Sequence, residues 1–249
     1  MPQRSATTAS DAALIARVRL GDAGAFELMG ARHRSALHDL ASILTAAPET
    51  LVEGTLEVAR AAIRRARGPR TWVRGYLLDL ALQPHATPAQ PRTTGPSPPQ
   101  PPGRHEAVGV CYARLPDAWQ AVLWHRFVEQ DTSTEVGAVI GVSRDQVDAL
   151  VGSARTELLR SLLLRRWGQD LPAPCRAHTG RLIAAPPGSL PRSVLRHTAR
   201  CPTCDALVDD LRAARDSLPN VLAGHVLEGT GERYLAMRHS AARDRLSVF

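Results

Sequence analysis

The chain has 249 residues, 44% of them hydrophobic, enough to bury globular cores, and its length suggests two or three small domains rather than one. Its formal net charge is +7, a field that attracts nucleic acid or acidic protein faces, although all 31 basic residues are arginine, a bias that a GC-rich genome produces as readily as a phosphate-binding surface. No apolar run is long enough to span a bilayer and the N-terminal "MPQRSATTASDAAL" has no signal-peptide core, so the expectation is a cytoplasmic protein without membrane contact.

In chain order, residues 8–83 read as a bundle of four helices. Ser10 and Asp22 are plausible N-caps, each followed by apolar residues at helical spacing: Leu14, Ile15 and Val18, then Phe26, Leu28, Met29, Leu37 and Leu40. Pro48 fits the first turn of a third helix carrying Leu51, Val52, Leu56, Val58 and Ile63, and "TWVRGYLLDLAL" makes a fourth. Residues 84–104 are dense in proline with almost nothing to bury, which predicts an extended, semi-rigid linker. Helical patterns resume at 105–113, 116–129, 133–140 and 143–165. The last two are joined by "IGVSRDQ", with Gly141 at the tight turn, Val142 pointing inward and Ser143 as a cap. That is the layout of a helix-turn-helix, and equally of an ordinary helical hairpin. A second break, "WGQDLPAPC", opens the final segment, 172–249. β-Branched alternation between turn signals is missing, so the predicted fold class is all-α.

The first and third of these stretches, in this order, resemble a bacterial sigma factor of the extracytoplasmic-function (ECF) type. "DAALIARVRLGDAGAFELMGARHRSAL" is similar to the opening helices of sigma region 2, with Gly21, Asp22, Ala25, Phe26, Arg32 and His33 at matching places. "LPDAWQAVLWHRFVEQDTSTEVGAVIGVSRDQVDALVGSARTELL" is similar to region 4, from Leu115 and Pro116 through Glu135, Gly141, Ser143, Val147, Ala154 and Arg155. The resemblance implies that Leu51, Val52 and Thr55 contribute to binding core RNA polymerase, with Thr50 and Gly54 standing where the family carries acids. It also implies promoter DNA contacts. Arg144 and Gln146, at the start of the second helix of the motif, would meet base edges in the major groove, and Arg155 the phosphate backbone, with Arg160 further along. The family's usual basic cluster after Val147 is replaced by Asp148, Ala149 and Leu150. In "TWVRGYLLDLAL", Trp72, Arg74 and Tyr76 suit the unstacking of promoter bases, although Trp72 and Tyr76 at i and i+4 suit core packing as well.

The final segment carries "HTARCPTC". His197 and Cys201 are four apart, so a helix ending near Arg200 puts the imidazole on the side of the first thiol, and Pro202 starts the next helix. In a reducing cytosol the chain's four cysteines suit metal better than structural disulfides. Cys201 and Cys204 can reach one ion, and Zn2+ accepts thiolate and imidazole in tetrahedral geometry. The fourth ligand is Cys175 or His178, whereas Cys111 reads as a small buried residue. The pattern Cys…His-x3-Cys-x2-Cys resembles the zinc-binding anti-sigma domain. That resemblance implies an intramolecular contact in which this module packs on the sigma-like parts and restrains them. Two readings follow: a transcription regulator that binds polymerase and promoter DNA, or an adaptor whose sigma-like parts are protein-binding surfaces only. An enzyme is not expected, because no phosphate loop, triad or paired carboxylates stand out.

Overall fold

The computed structural model describes residues 9–83, 104–168, 171–185 and 189–246, and all regular structure in them is helical. The expected linker therefore lies outside the described residues, except that Arg104 already opens a helix. The first segment forms α1 (Asp11–Arg19), α2 (Ala23–Leu44), α3 (Pro48–Arg64) and α4 (Val73–Leu82). Ser10 and Asp22 cap α1 and α2 by accepting the backbone N–H of Ala13 and Ala25, which relieves one orphan donor in each. Leu14, Ile15 and Val18 of α1 meet Phe26, Met29, Leu37 and Leu40 of α2 inside the bundle. On α3 the buried stripe runs through Val52, Leu56, Ala59 and Ile63, at steps of four, three and four, with Thr55 beside it. Val58 was expected among them and is instead 55% exposed, because it falls off that stripe.

The second segment forms α5 (Arg104–Ala113), α6 (Asp117–Leu123), a π-helical turn (Trp124–Val128), α7 (Ser133–Ile140) and α8 (Arg144–Trp167). Helices α7 and α8 and the turn between them lie where the sequence places the helix-turn-helix pattern. Each begins with a reciprocal capping box, Thr132 with Glu135 and Ser143 with Gln146. Gly141 ends α7 in the left-handed region at φ +89°, and the turn lies so close to Ser10 that a methyl group on Gly141 would stand 2.7 Å from its Cβ. Gly141→Ala should therefore destabilise the protein by about 1–3 kcal/mol through the strained φ alone, and more from the contact. Thermal unfolding within error of wild type would contradict this.

The third segment forms α9 (Ala173–Ala184), α10 (Arg192–Thr198), α11 (Pro202–Asp216), α12 (Leu218–Leu227), a short 3-10 turn (Glu228–Thr230) and α13 (Gly231–Leu246). Prolines at 172, 174, 191 and 202 mark where α9, α10 and α11 begin, since proline fits a first turn and cannot continue a helix. The last two helices do not stay with α9, α10 and α11. Helix α12 packs on α4, α5 and the π turn, and α13 packs on α12 and α2, so the end of the chain joins the first segment to the second. Most of the buried apolar residues form one continuous cluster, from Leu14 to Leu235.

Candidate metal centre

Three helix ends converge on one point. Cys175 lies in the first turn of α9, His197 in the last turn of α10, Cys201 at the N-cap of α11 and Cys204 one turn into it. One ligand atom from each of the four residues lies within 4.8 Å of all the others, and the Sγ atoms of Cys175 and Cys201 are 3.5 Å apart. Cys175 and Cys204 are buried, whereas His197 and Cys201 are partly so. His178, the alternative fourth ligand, stands one turn along α9 from Cys175 and is outside this set. Its ring stacks on His197, with centroids 4.3 Å apart and planes 26° from parallel, and supports the imidazole rather than replacing Cys175.

The electrostatics of the cluster ask for a cation. Burial pushes the Cys204 thiol up to about 12, helped by the neighbouring sulfurs, and burial likewise raises Cys175. Cys201 goes the other way, because the backbone N–H of Cys204 stabilises its thiolate at the start of α11. Several thiolates so close together repel one another unless a metal ion balances them. Nε2 of His197 is buried without a hydrogen-bond partner, which costs free energy unless something binds the imidazole. The Cys3His set therefore fits a bound metal ion, and four closely placed donors are the number a closed site needs. Helix α9 is tied to the site from the far side by Arg215 of α11. One of its guanidinium nitrogens donates to the carbonyls of Leu182, Ile183 and Ala185 at 3.3, 3.0 and 3.1 Å, satisfying the open end of α9.

The residues expected to meet polymerase are split. Val52 is fully buried and Thr55 nearly so, its hydroxyl donating to the Leu51 carbonyl at 2.7 Å. Leu51 and Thr55 line an open groove of about 460 Å³ with the exposed Val58. Of the residues expected to meet DNA, Arg144 and Gln146 are exposed at the start of α8, but the Gln146 amide oxygen already accepts the Ser143 N–H at 2.9 Å. Arg155 is half-buried and within electrostatic range of Arg215, whose pKa is lowered by burial and then by the Arg155 charge. Asp148 accepts a 2.7 Å hydrogen bond from Ser133, which ties α8 to α7.

A second polar centre, absent from the sequence reading, sits where the segments meet. Glu129, just after the π turn, has no exposed surface. It accepts hydrogen bonds from Trp124 Nε1 at 2.8 Å and the Tyr234 hydroxyl at 2.7 Å. It also forms ion pairs with Arg74 at 2.8 Å and Arg238 at 2.6 Å. Arg74 of α4 continues inward, donating from Nε to His33 Nδ1 at 2.9 Å, and His33 Nε2 lies 2.6 Å from Asp11. Arg238 of α13 reaches Asp39 of α2 at 2.9 Å. Burial alone would raise the Glu129 carboxyl, but the charges of Arg74 and Arg238 outweigh it and hold the group well below the carboxylate range. Burial lowers the His33 pKa, so the ring stays neutral, accepting from Arg74 at Nδ1 and donating to Asp11 at Nε2. Trp72, one of the candidate base-stacking rings, packs edge-to-face on Tyr112 with centroids 6.0 Å apart and at 6.3 Å from Trp124. It serves the contact between α4 and the second segment.

No protein-family model, no curated protein and no solved structure matches the chain. Among the described residues no helix is long and apolar enough to cross a membrane.

Proposed function

We propose that the protein is a sigma-factor-like transcription regulator of the ECF type, held in a closed arrangement by its own C-terminal helices. The observation that carries this reading is the placement of α12 and α13 against α2, α4, α5 and the π turn, closed by Arg238 on both Asp39 and Glu129. A sigma-like protein needs its two halves free to spread over polymerase and promoter, and a clamp across both opposes that. The exposed start of α8, with Arg144 at the surface of a helix-turn-helix, supports promoter contact. Covalent attachment makes the restraint intramolecular and so effective at any protein concentration.

The metal in this reading is Zn2+, held by Cys175, His197, Cys201 and Cys204. It would supply the charge that keeps the three thiolates together and fix the ends of α9, α10 and α11 to one another. His178 and Arg215 hold the surrounding geometry, one by stacking on His197 and the other by capping α9.

An adaptor that does not read DNA is the second reading, favoured by Gln146 and Asp148 being engaged within the helix-turn-helix and by Arg74 being buried on Glu129. The two separate in one experiment. Core polymerase binding and salt-dependent gel shifts on promoter fragments are measured for the full chain, for a chain ending before residue 172, and for full-length Arg238→Ala. The regulator reading expects tighter polymerase or DNA binding in both altered forms, with affinity falling steeply as salt rises. Binding by all three proteins at equal strength removes the restraint, and specific polymerase binding without any DNA shift favours the adaptor.

A further inference from the structure

A cleft of about 410 Å³ opens where α4, α5, α6 and α12 come together, and the metal and helix-turn-helix readings make no use of it. Trp72 and Tyr112 are among its aromatic lining residues, meeting edge-to-face, and the imidazole of His225 meets Tyr112 in the same way at 6.3 Å. Tyr76 lines it as well. Its pKa is raised, first by burial and then by the charge of Asp79, so it stays a neutral phenol. Asp79 and Asp117 are exposed lining residues and bring two carboxylates to the opening. In a chain with 31 arginines, no arginine lines this cleft among the described residues.

Two details show that the backbone is shaped around these rings. A methyl group on Gly75 would stand 2.3 Å from the Trp72 indole, and one on Gly109 would stand 2.8 Å from the His225 ring, so glycine at both positions lets an aromatic ring lie against a helix. Aromatic faces attract cations, and carboxylates at the mouth do the same, whereas an anion would meet repulsion from both.

We propose that this cleft binds a small flat organic cation, an amidinium or guanidinium carried on an aromatic or short apolar body. The flat body packs on Trp72 and Tyr76, which keep some exposed surface while the buried Tyr112 backs them, and Asp79 and Asp117 balance the charge. Since the walls come from all three segments, such a ligand stabilises their closed arrangement by mass action. This holds whether or not the chain reads promoters, because the cleft depends only on the packing of α4, α5, α6 and α12.

The test uses full-length protein with benzamidine and with benzamide, a neutral molecule of nearly the same shape, followed by tryptophan fluorescence and thermal unfolding. Benzamidine should give a saturable fluorescence change and raise Tm, and benzamide should bind about 10-fold more weakly, the effect of one favourable charge contact plus a cation–π contact. In the double variant Asp79→Asn and Asp117→Asn, and to a lesser extent in Asp79→Asn alone, benzamidine affinity should fall toward that of benzamide while the unliganded Tm stays near wild type. Equal binding of the two molecules, no saturable binding of benzamidine, or a preference for benzamidine unchanged in both variants would overturn the proposal.

Discussion

Replacing Glu129 with glutamine should cost about 3–5 kcal/mol of stability, because Arg74 and Arg238 would remain buried with their shared counter-charge removed. In a chain of this size that is a fall in Tm on the order of 10 °C, readable by thermal or urea unfolding. Combining Glu129→Gln with Arg238→Ala should recover part of the loss, since one unbalanced cation goes with it; strictly additive costs would refute the coupling. The pH dependence has a definite sign. The Glu129 carboxyl is depressed in the folded protein from an ordinary value of 4.5, so its contribution is complete above that pH and is lost as the pH falls toward the folded value. His33 is depressed from 6.5 by burial, so the unfolded chain takes up that proton first and stability declines as the pH falls below 6.5. Wild-type stability should therefore drop in two stages on acidification, and Glu129→Gln should retain the stage near 6.5 while losing the Glu129 share of the lower one, to which the depressed Asp11 carboxyl also contributes.

Cys204→Ser should abolish stoichiometric metal binding. Cys204 is buried at the centre of the cluster, so the loss should exceed the ~10–100-fold in affinity that removal of a mere supporting partner costs. Purified wild-type protein prepared under reducing conditions should carry one equivalent of zinc, and cobalt substitution should give the absorption of a tetrahedral thiolate site. His178→Ala should keep the full equivalent, because His178 stacks on His197 without joining the donor set. Wild-type protein without zinc, or Cys204→Ser with a full complement, would sink the assignment; loss of metal in His178→Ala would return His178 to the ligand set.

Much of this was legible in the sequence because it is local. Ser10, Asp22 and Ser143 cap helices within three residues of themselves, Gly141 takes the left-handed φ that glycine adopts most readily, and Pro48 and Pro202 open helices by their own ring geometry. His197, Cys201 and Cys204 lie close in sequence, so their convergence follows from helix geometry, and only Cys175 against His178 had to wait for the packing. Glu129 was not legible. It stands in "VEQD", followed by two polar residues that look like surface, and its partners Arg74, Tyr234 and Arg238 come from distant helices. Nothing in spacing distinguishes a charge that three segments will enclose from one that water will solvate. Val58 failed for a related reason, since an apolar residue next to a buried stripe is indistinguishable from its members until the partner helix is in place.

The π turn at Trp124–Val128 has a consequence for how the helix-turn-helix is aimed. On an ordinary α-helix, side chains five apart differ in direction by roughly 140°. Widening one turn brings Trp124 and Glu129 onto the same side, where the indole donates to the carboxylate. Such a turn is equivalent to one surplus residue in a helix. Removing the surplus residue would restore a regular turn and leave Glu129 near the side of Trp124, because four α-helical residues already turn through roughly 400°. The chain can thus gain or lose one residue at this turn without re-aiming the surface that carries Arg144.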